Sequence, residues 1–390
     1  MLVVKSNELG HRFVTLLVFF LASSIYYLTI PALVIIYIYL LVYKKWLRIN
    51  KSSLTILVLF FSSIGLSLFV GLFDSNFGES LVYSIYLFAL FFAVILLVST
   101  DIPNKTISYI YAFLFGSFFF YSIILFNACI YNFSNSTCGY GGVYNLFTGR
   151  VSNTPGYANS IVLYPILCLC YMFVYKEKNS INKKIYAIFV VVFCVVLLSF
   201  LASRASFVLL LAGLLMVLAL RSWKNIIAGI ILLFALIVVF NFLLGYMQTM
   251  GIISFDLIFK RIEERGFESQ RVEIYMSGLE RLLTTPIGIY QIDPSVGANN
   301  LIHNIYLDLS KFGGWSVFIS FVIFSLLGLK RSPFKMNEEY KSIFIIYIIC
   351  FISLQQDVFY GAGLPVLVIF LMSNTYLFCW SQVKKQTLNV

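Results

Sequence analysis

The sequence predicts an all-α, polytopic membrane protein with about 12 transmembrane helices and one large polar loop. Three observations carry that expectation: too few charges for a water-facing surface, apolar runs of spanning length, and basic residues sorted to one side of those runs. Of 390 residues, 61% are hydrophobic and 11% charged, with mean hydropathy +0.95. A soluble domain carries about 25% charge, so lipid is the main solvent of this chain.

A span needs roughly 20 apolar residues. In chain order the runs are 12–29, 31–43, 54–72, 81–100, 106–126, 159–175, 185–202, 206–220, 225–246, 314–329, 342–356 and 362–380. The second and eleventh are short. The first is not read as a cleaved leader: no small-residue cleavage site follows, and another apolar run comes at once. With the N-terminus in the cytoplasm, 19 of the 27 Lys and Arg residues fall in inner segments and eight in outer ones. Of the 16 acids, five are inner and 11 outer. This positive-inside bias sets the orientation, with both termini cytoplasmic. The net charge of +11 therefore reflects topology, and no nucleic-acid partner is expected. Basic clusters such as Lys44-Lys45 read as anchors to anionic lipid.

The chain reads as a single domain, 1–390, without a linker or internal repeat. Two outer connections are long, 127–158 and 247–313. The first reads as irregular coil and ends in Gly149-Arg150-Val151-Ser152-Asn153-Thr154-Pro155-Gly156. The second is organised. From Met247 to Lys311 it holds eight of the 16 acids and six of the 27 bases. Ile252 to Arg265 mixes apolar and charged positions at helical spacing, as in a helix lying on a membrane surface. A second helix is expected from Glu268 to Leu283, ended by Pro286 and Gly288. Residues 289–300 read as loop, and Leu301 to Leu309 as a short helix stopped by Gly313-Gly314.

The seven cysteines form no metal set, and none lies in a Cys-x-x-Cys pair. Cys168, Cys170, Cys194, Cys350 and Cys379 fall in spans as small apolar fillers. Cys129 and Cys138 lie near the start of an outer loop and are either free or disulfide-bonded there.

Four outer residues stand out for chemistry. Arg204 follows Leu201-Ala202-Ser203 between two spans joined by almost nothing. It either snorkels to lipid headgroups or faces inward to bind an anion, for which a planar, permanently charged guanidinium is suited. Arg271 and Arg150 are open to the same reading, or to surface pairing with the loop's glutamates. Arg261 and Arg265 each precede a glutamate by three residues and read as solvated, and Arg281 as exposed. His303 is one of two histidines. Near neutral pH it can take or give a proton, as a general base requires, though a lone histidine can also be structural. Tyr275 shares a helical face with Arg271, and Tyr306 lies three residues from His303, so each is a candidate for positioning. Asn304 either orients a substrate or starts a helix. No nucleophile elbow, phosphate loop or dinucleotide fingerprint is present.

Together these pieces resemble the superfamily of bacterial O-antigen polymerases (Wzy type) and O-antigen ligases (WaaL type). The matching residues are Ser203-Arg204-Ala205-Ser206-Phe207 opening a span, then Arg271 opening a helix and Pro286-Ile287-Gly288. His303-Asn304 follows before Gly313-Gly314, with Arg150 and Pro155-Gly156 upstream. The similarity covers roughly 149–327. It departs from the pattern at Ile289-Tyr290, where the family often has a second glycine.

The resemblance implies a GT-C-like fold in the bacterial inner membrane, with the 247–313 loop periplasmic and catalytic. It implies a glycosyltransferase that moves a sugar chain from undecaprenyl diphosphate to an acceptor glycan hydroxyl, inverting the anomeric centre. His303 would take the acceptor proton. Arg204, Arg271 and Arg150 would hold the diphosphate, so neither cofactor nor metal is expected. The polymerases are the more divergent group, which favours polymerisation of lipid-linked repeat units, with a chain-length-regulating co-polymerase as partner. The alternative is ligation to lipid A–core. A polysaccharide flippase is the reading from a different class. It fits less well, because transporters place ionisable groups within spans.

Overall fold

The computed structural model describes residues 2–23, 25–43, 51–65, 77–100, 103–132, 143–147, 149–152, 154–175, 181–200, 203–221, 270–288, 302, 304–330, 333, 336–355 and 363–387. Among them the chain is all-α apart from one small ribbon. The helices are α1 (Leu2–Leu21), α2 (Tyr26–Tyr43), α3 (Lys51–Phe60), α4 (Phe77–Thr100), α5 (Pro103–Asn132), α6 (Thr154–Phe173), α7 (Ile181–Phe200), α8 (Arg204–Arg221), α9 (Gln270–Thr284), α10 (Ile305–Leu326), α11 (Glu338–Ser353) and α12 (Leu364–Thr387). Three stretches are long and apolar enough to cross a membrane: Lys105–Asn127, Gly156–Phe173 and Ile181–Leu198. Seven shorter apolar helical segments accompany them. The expected ninth span at 225–246, the surface helix at 252–265 and the loop at 289–300 lie outside the described residues.

A helix apolar on every side belongs in a core, and α12 is that helix. Every side chain from 363 to 378 is buried. Its centre nevertheless carries Ser373, Asn374 and Thr375. Asn374 Nδ2 donates to the Phe324 carbonyl at 2.8 Å, tying the post to the end of α10. At the periphery α7 does the opposite. Ile181, Ile185, Phe189, Val192 and Val196 form an exposed stripe at helical spacing. In water such a stripe would be a large apolar patch, whereas hydrocarbon is a matched solvent for it.

Two expectations change in detail. The run 12–29 is not one helix: α1 ends at Leu21 and α2 begins at Tyr26. Ser23 causes the break. Its hydroxyl donates to the Phe20 carbonyl at 2.7 Å and accepts from the Ile25 N–H at 3.2 Å, so a side chain replaces the helical ladder. The 127–158 segment is also not all coil. Val143–Asn145 and Arg150–Ser152 pair antiparallel as β1 and β2, and Gly149 at φ 66° ends their short connection.

Four contacts fix the directions of the helices that frame the candidate site. Ser206 meets Asn159, and Gly213 faces Ile166, so α8 runs parallel to α6. Tyr175, just past the end of α6, lies beside Ser342 near the start of α11, so these two are antiparallel. The Ile305 N–H donates to the Leu354 carbonyl at 3.0 Å, so α10 starts where α11 ends. One end of the bundle therefore collects the starts of α6, α8 and α10 and the finish of α11.

Candidate functional site

α9 is amphipathic. Ile274, Gly278 and Leu282 are buried at intervals of four, while Glu273, Glu280 and Arg281 are exposed. Its buried stripe packs on Ile302 and Leu307, with Trp315 and Phe318 at the edge, as a satellite core beside the main one. A Cβ on Gly278 would lie 2.8 Å from Ile302 Cδ1, so the glycine is what lets the 302 segment approach.

The turn after α9 locks onto the break in α10. Trp315 N–H donates to the Pro286 carbonyl at 2.9 Å. Gly288 has φ 89° and Gly314 φ 59°, both in the left-handed region open to glycine. A Cβ on Gly314 would sit 2.0 Å from the Pro286 oxygen, and one on Gly288 2.5 Å from the Gly314 nitrogen. Pro286-Ile287-Gly288 and Gly313-Gly314, which are separate motifs in the sequence, are thus two halves of one junction.

The start of α10 is held by four polar side chains. Asn304 Oδ1 caps it, accepting from the N–H groups of Tyr306 at 3.0 Å and Leu307 at 3.3 Å. Asn304 Nδ2 donates to Gln355 Oε1 at 3.1 Å. The carbonyl of Gln355 accepts from Tyr275 Oη at 2.9 Å, which ties α9 to the same point. Asp308, only 3% exposed, accepts from the Ile302 N–H at 2.8 Å and the Asn304 N–H at 3.2 Å. Asn304 and Tyr275 therefore both hold backbone here.

Tyr306 turns its ring into the core, against Phe321 at 5.0 Å and Phe351 at 6.0 Å. Ser325 and Gln355 are near its hydroxyl, yet neither completes a hydrogen bond with it. Burial pushes this phenol up to about 12. Between α10 and α11 lies a cavity of about 370 Å³. Its walls are mainly Leu307, Phe318, Val322 and Phe351, and Asn304 and Gln355 form its polar end.

A second polar link joins α6 and α8. Ser206 Oγ donates to Asn159 Oδ1 at 2.7 Å and lies 2.7 Å from Ser203 Oγ. It ties the Ser-Arg-Ala-Ser turn to the helix that Pro155-Gly156 opens. Asn145 Nδ2 donates to Tyr157 Oη at 3.0 Å, seating the ribbon over the same helix start.

On the backbone, Arg150 opens β2 opposite Asn145, Arg204 is the first residue of α8 and Arg271 the second of α9. The side chains of these arginines and the whole of His303 lie outside the described residues, although Ile302 and Asn304 on either side of it are described. Cys129 falls within α5, but its side chain and Cys138 lie outside them too, and with them the choice between a free and a disulfide-bonded pair. Asp308, Gln355, Asn159 and Ser206 were not singled out as single residues from the sequence. Asn159 and Asp308 carried a signal, each being polar within an apolar helix. Gln355 carried none, because its partner Asn304 is 51 residues away. No family model and no curated protein sequence matches this chain.

Proposed function

We propose that this protein is a membrane glycosyltransferase. It transfers a glycan from undecaprenyl diphosphate to an acceptor hydroxyl on the periplasmic side, polymerising lipid-linked repeat units. One observation carries the reading: segments recognised separately in the sequence meet at one end of the bundle. Pro286-Ile287-Gly288 seats on Gly314, Tyr275 and Asn304 meet at Gln355, and Ser206 meets Asn159.

The proposed chemistry takes its residues from the resemblance. The acceptor oxygen attacks the anomeric carbon while its proton passes to His303. The bond from that carbon to the diphosphate oxygen breaks, and the polyprenyl diphosphate departs with the electron pair. Attack opposite the leaving group inverts the centre. Arg204, Arg271 and Arg150 hold the diphosphate and meet the charge that develops on it. The starts of α6, α8 and α10 add the partial positive charge of helix N-termini at the same end. The apolar cavity beside Asn304 suits the hydrocarbon of the carrier.

The test uses purified protein in detergent, supplied with undecaprenyl diphosphate-linked oligosaccharide, with and without lipid A–core as acceptor, and no ion gradient. Wild type should lengthen the lipid-linked glycan. Loss of a positioned base costs about 10²–10⁴-fold, so His303→Ala should retain donor binding and lose turnover by that factor. Arg271→Lys should be impaired nearly as much as Arg271→Ala, because lysine lacks the bidentate fork. Product appearing only on lipid A–core makes the protein a ligase. An inactive wild type, or His303→Ala at full rate, overturns the proposal.

A further inference from the structure

We infer that Asp308 is a positioning residue for the proposed proton-accepting histidine, fixing the N–H groups of its two sequence neighbours, Ile302 and Asn304. The inference rests on the functional reading above. Its geometry is independent of that reading. Asp308 Oδ1 takes the Ile302 N–H at 2.8 Å and Oδ2 the Asn304 N–H at 3.2 Å. The two donors are the N–H groups of the residues on either side of position 303.

The start of α10 does not need this carboxylate as a cap. Asn304 Oδ1 already takes the N–H groups of Tyr306 and Leu307 in the first turn. In a capping box the acid reaches back to the N-cap N–H alone. Asp308 reaches that N–H and also one two residues further upstream, outside the helix. The second bond adds nothing to the helix and acts only on the chain entering it. That entry is gripped from other sides as well. Ile302 is buried against Gly278 of α9, and Ile305 N–H and Asn304 Nδ2 bond to Leu354 and Gln355, just past the end of α11. A base must be held to a fraction of an ångström, and a misplacement of about 1 Å can cost about 10²-fold. One carboxyl group shared by the N–H groups of Ile302 and Asn304 supplies that rigidity without touching substrate.

The test uses the full-length protein in lipid nanodiscs. Asp308→Asn keeps size and one acceptor but turns an amino group toward one of the two amides. Asp308→Glu keeps both oxygens on a longer arm. With Asn, kcat should fall about 10²-fold while KM for the lipid-linked donor stays within about twofold, because positioning acts after binding. Glu should recover part of the lost kcat. Hydrogen exchange should accelerate in the peptide spanning 300–307 and stay unchanged in α9 and α11. Normal kcat in Asp308→Asn overturns the inference, as does exchange rising throughout the chain, which would make Asp308 a residue of general stability. A wild type that turns over no donor overturns the functional reading instead. The exchange data then still decide whether the carboxylate holds the two amides.

Discussion

Tyr306 shows how a residue can neighbour the proposed base in sequence and turn its side chain into the core. Three residues from His303, it invited a positioning role, yet its ring fills the core between Phe321 and Phe351. Its hydroxyl is buried with no hydrogen-bond partner among the described residues. Removing a buried unsatisfied group is close to neutral or slightly stabilising. Tyr306→Phe should therefore keep activity within about threefold and leave the melting temperature equal or higher. Because burial holds the phenol near 12, it also stays protonated through an alkaline assay up to about pH 10. Wild type and Tyr306→Phe should show the same pH–rate profile there, and a limb present only in wild type would restore a role for the oxygen. The neighbouring polar residues were unequally legible. Asn304 was already read as a helix start or a positioning group, and it caps. Gln355 is invisible in sequence, since it acquires meaning only when α11 ends beside α10.

At the level of elements, the apolar period gave the helices, and local chemistry decided where they end. Each apolar run that falls within the described residues overlaps a helix, as expected of a backbone that must pair its polar groups away from water. The ends moved where a side chain competed, as at Ser23. The junction between α9 and α10 was half legible. Pro286 and Gly288 were expected to stop a helix, and Gly313-Gly314 to stop another. That the two stops clasp each other is a long-range fact with no local signature. It makes a graded prediction. Gly149→Ala and Gly314→Ala both force a side chain into the left-handed region, at about 1–3 kcal/mol each. At Gly149 the new Cβ meets nothing closer than Tyr144 Oη at 3.8 Å, but at Gly314 it meets the Pro286 oxygen at 2.0 Å. Gly314→Ala must also pry α9 from α10 and break the Trp315 bond. Thermal unfolding in detergent should show a clearly larger loss for Gly314→Ala than for Gly149→Ala, and equal losses would mean the junction is slack.

For the whole molecule, the informative quantity is where the charges fall. With so few of them, the chain keeps most of its bases in the segments read as inner and most of its acids in those read as outer. The segments that meet in the candidate site all belong to the second group. The parallel course of α6 and α8, and the meeting of α10's start with α11's finish, agree with that sorting, since each of these ends was assigned outside on charge alone. A translocation machinery reads Lys and Arg near the ends of spans and retains them in the cytoplasm. Reporter fusions after Ser180 and after Phe334 should therefore give cytoplasmic signals, and fusions within 127–158 or 247–313 periplasmic ones. The 247–313 fusion is the decisive one. Polyprenyl-linked glycan presented on the periplasmic face reaches His303, Arg271 and the α9–α10 junction only if that loop is there. A cytoplasmic signal from it would invert the bundle, set the basic clusters against the charge rule and leave the proposed donor on the wrong side of the membrane.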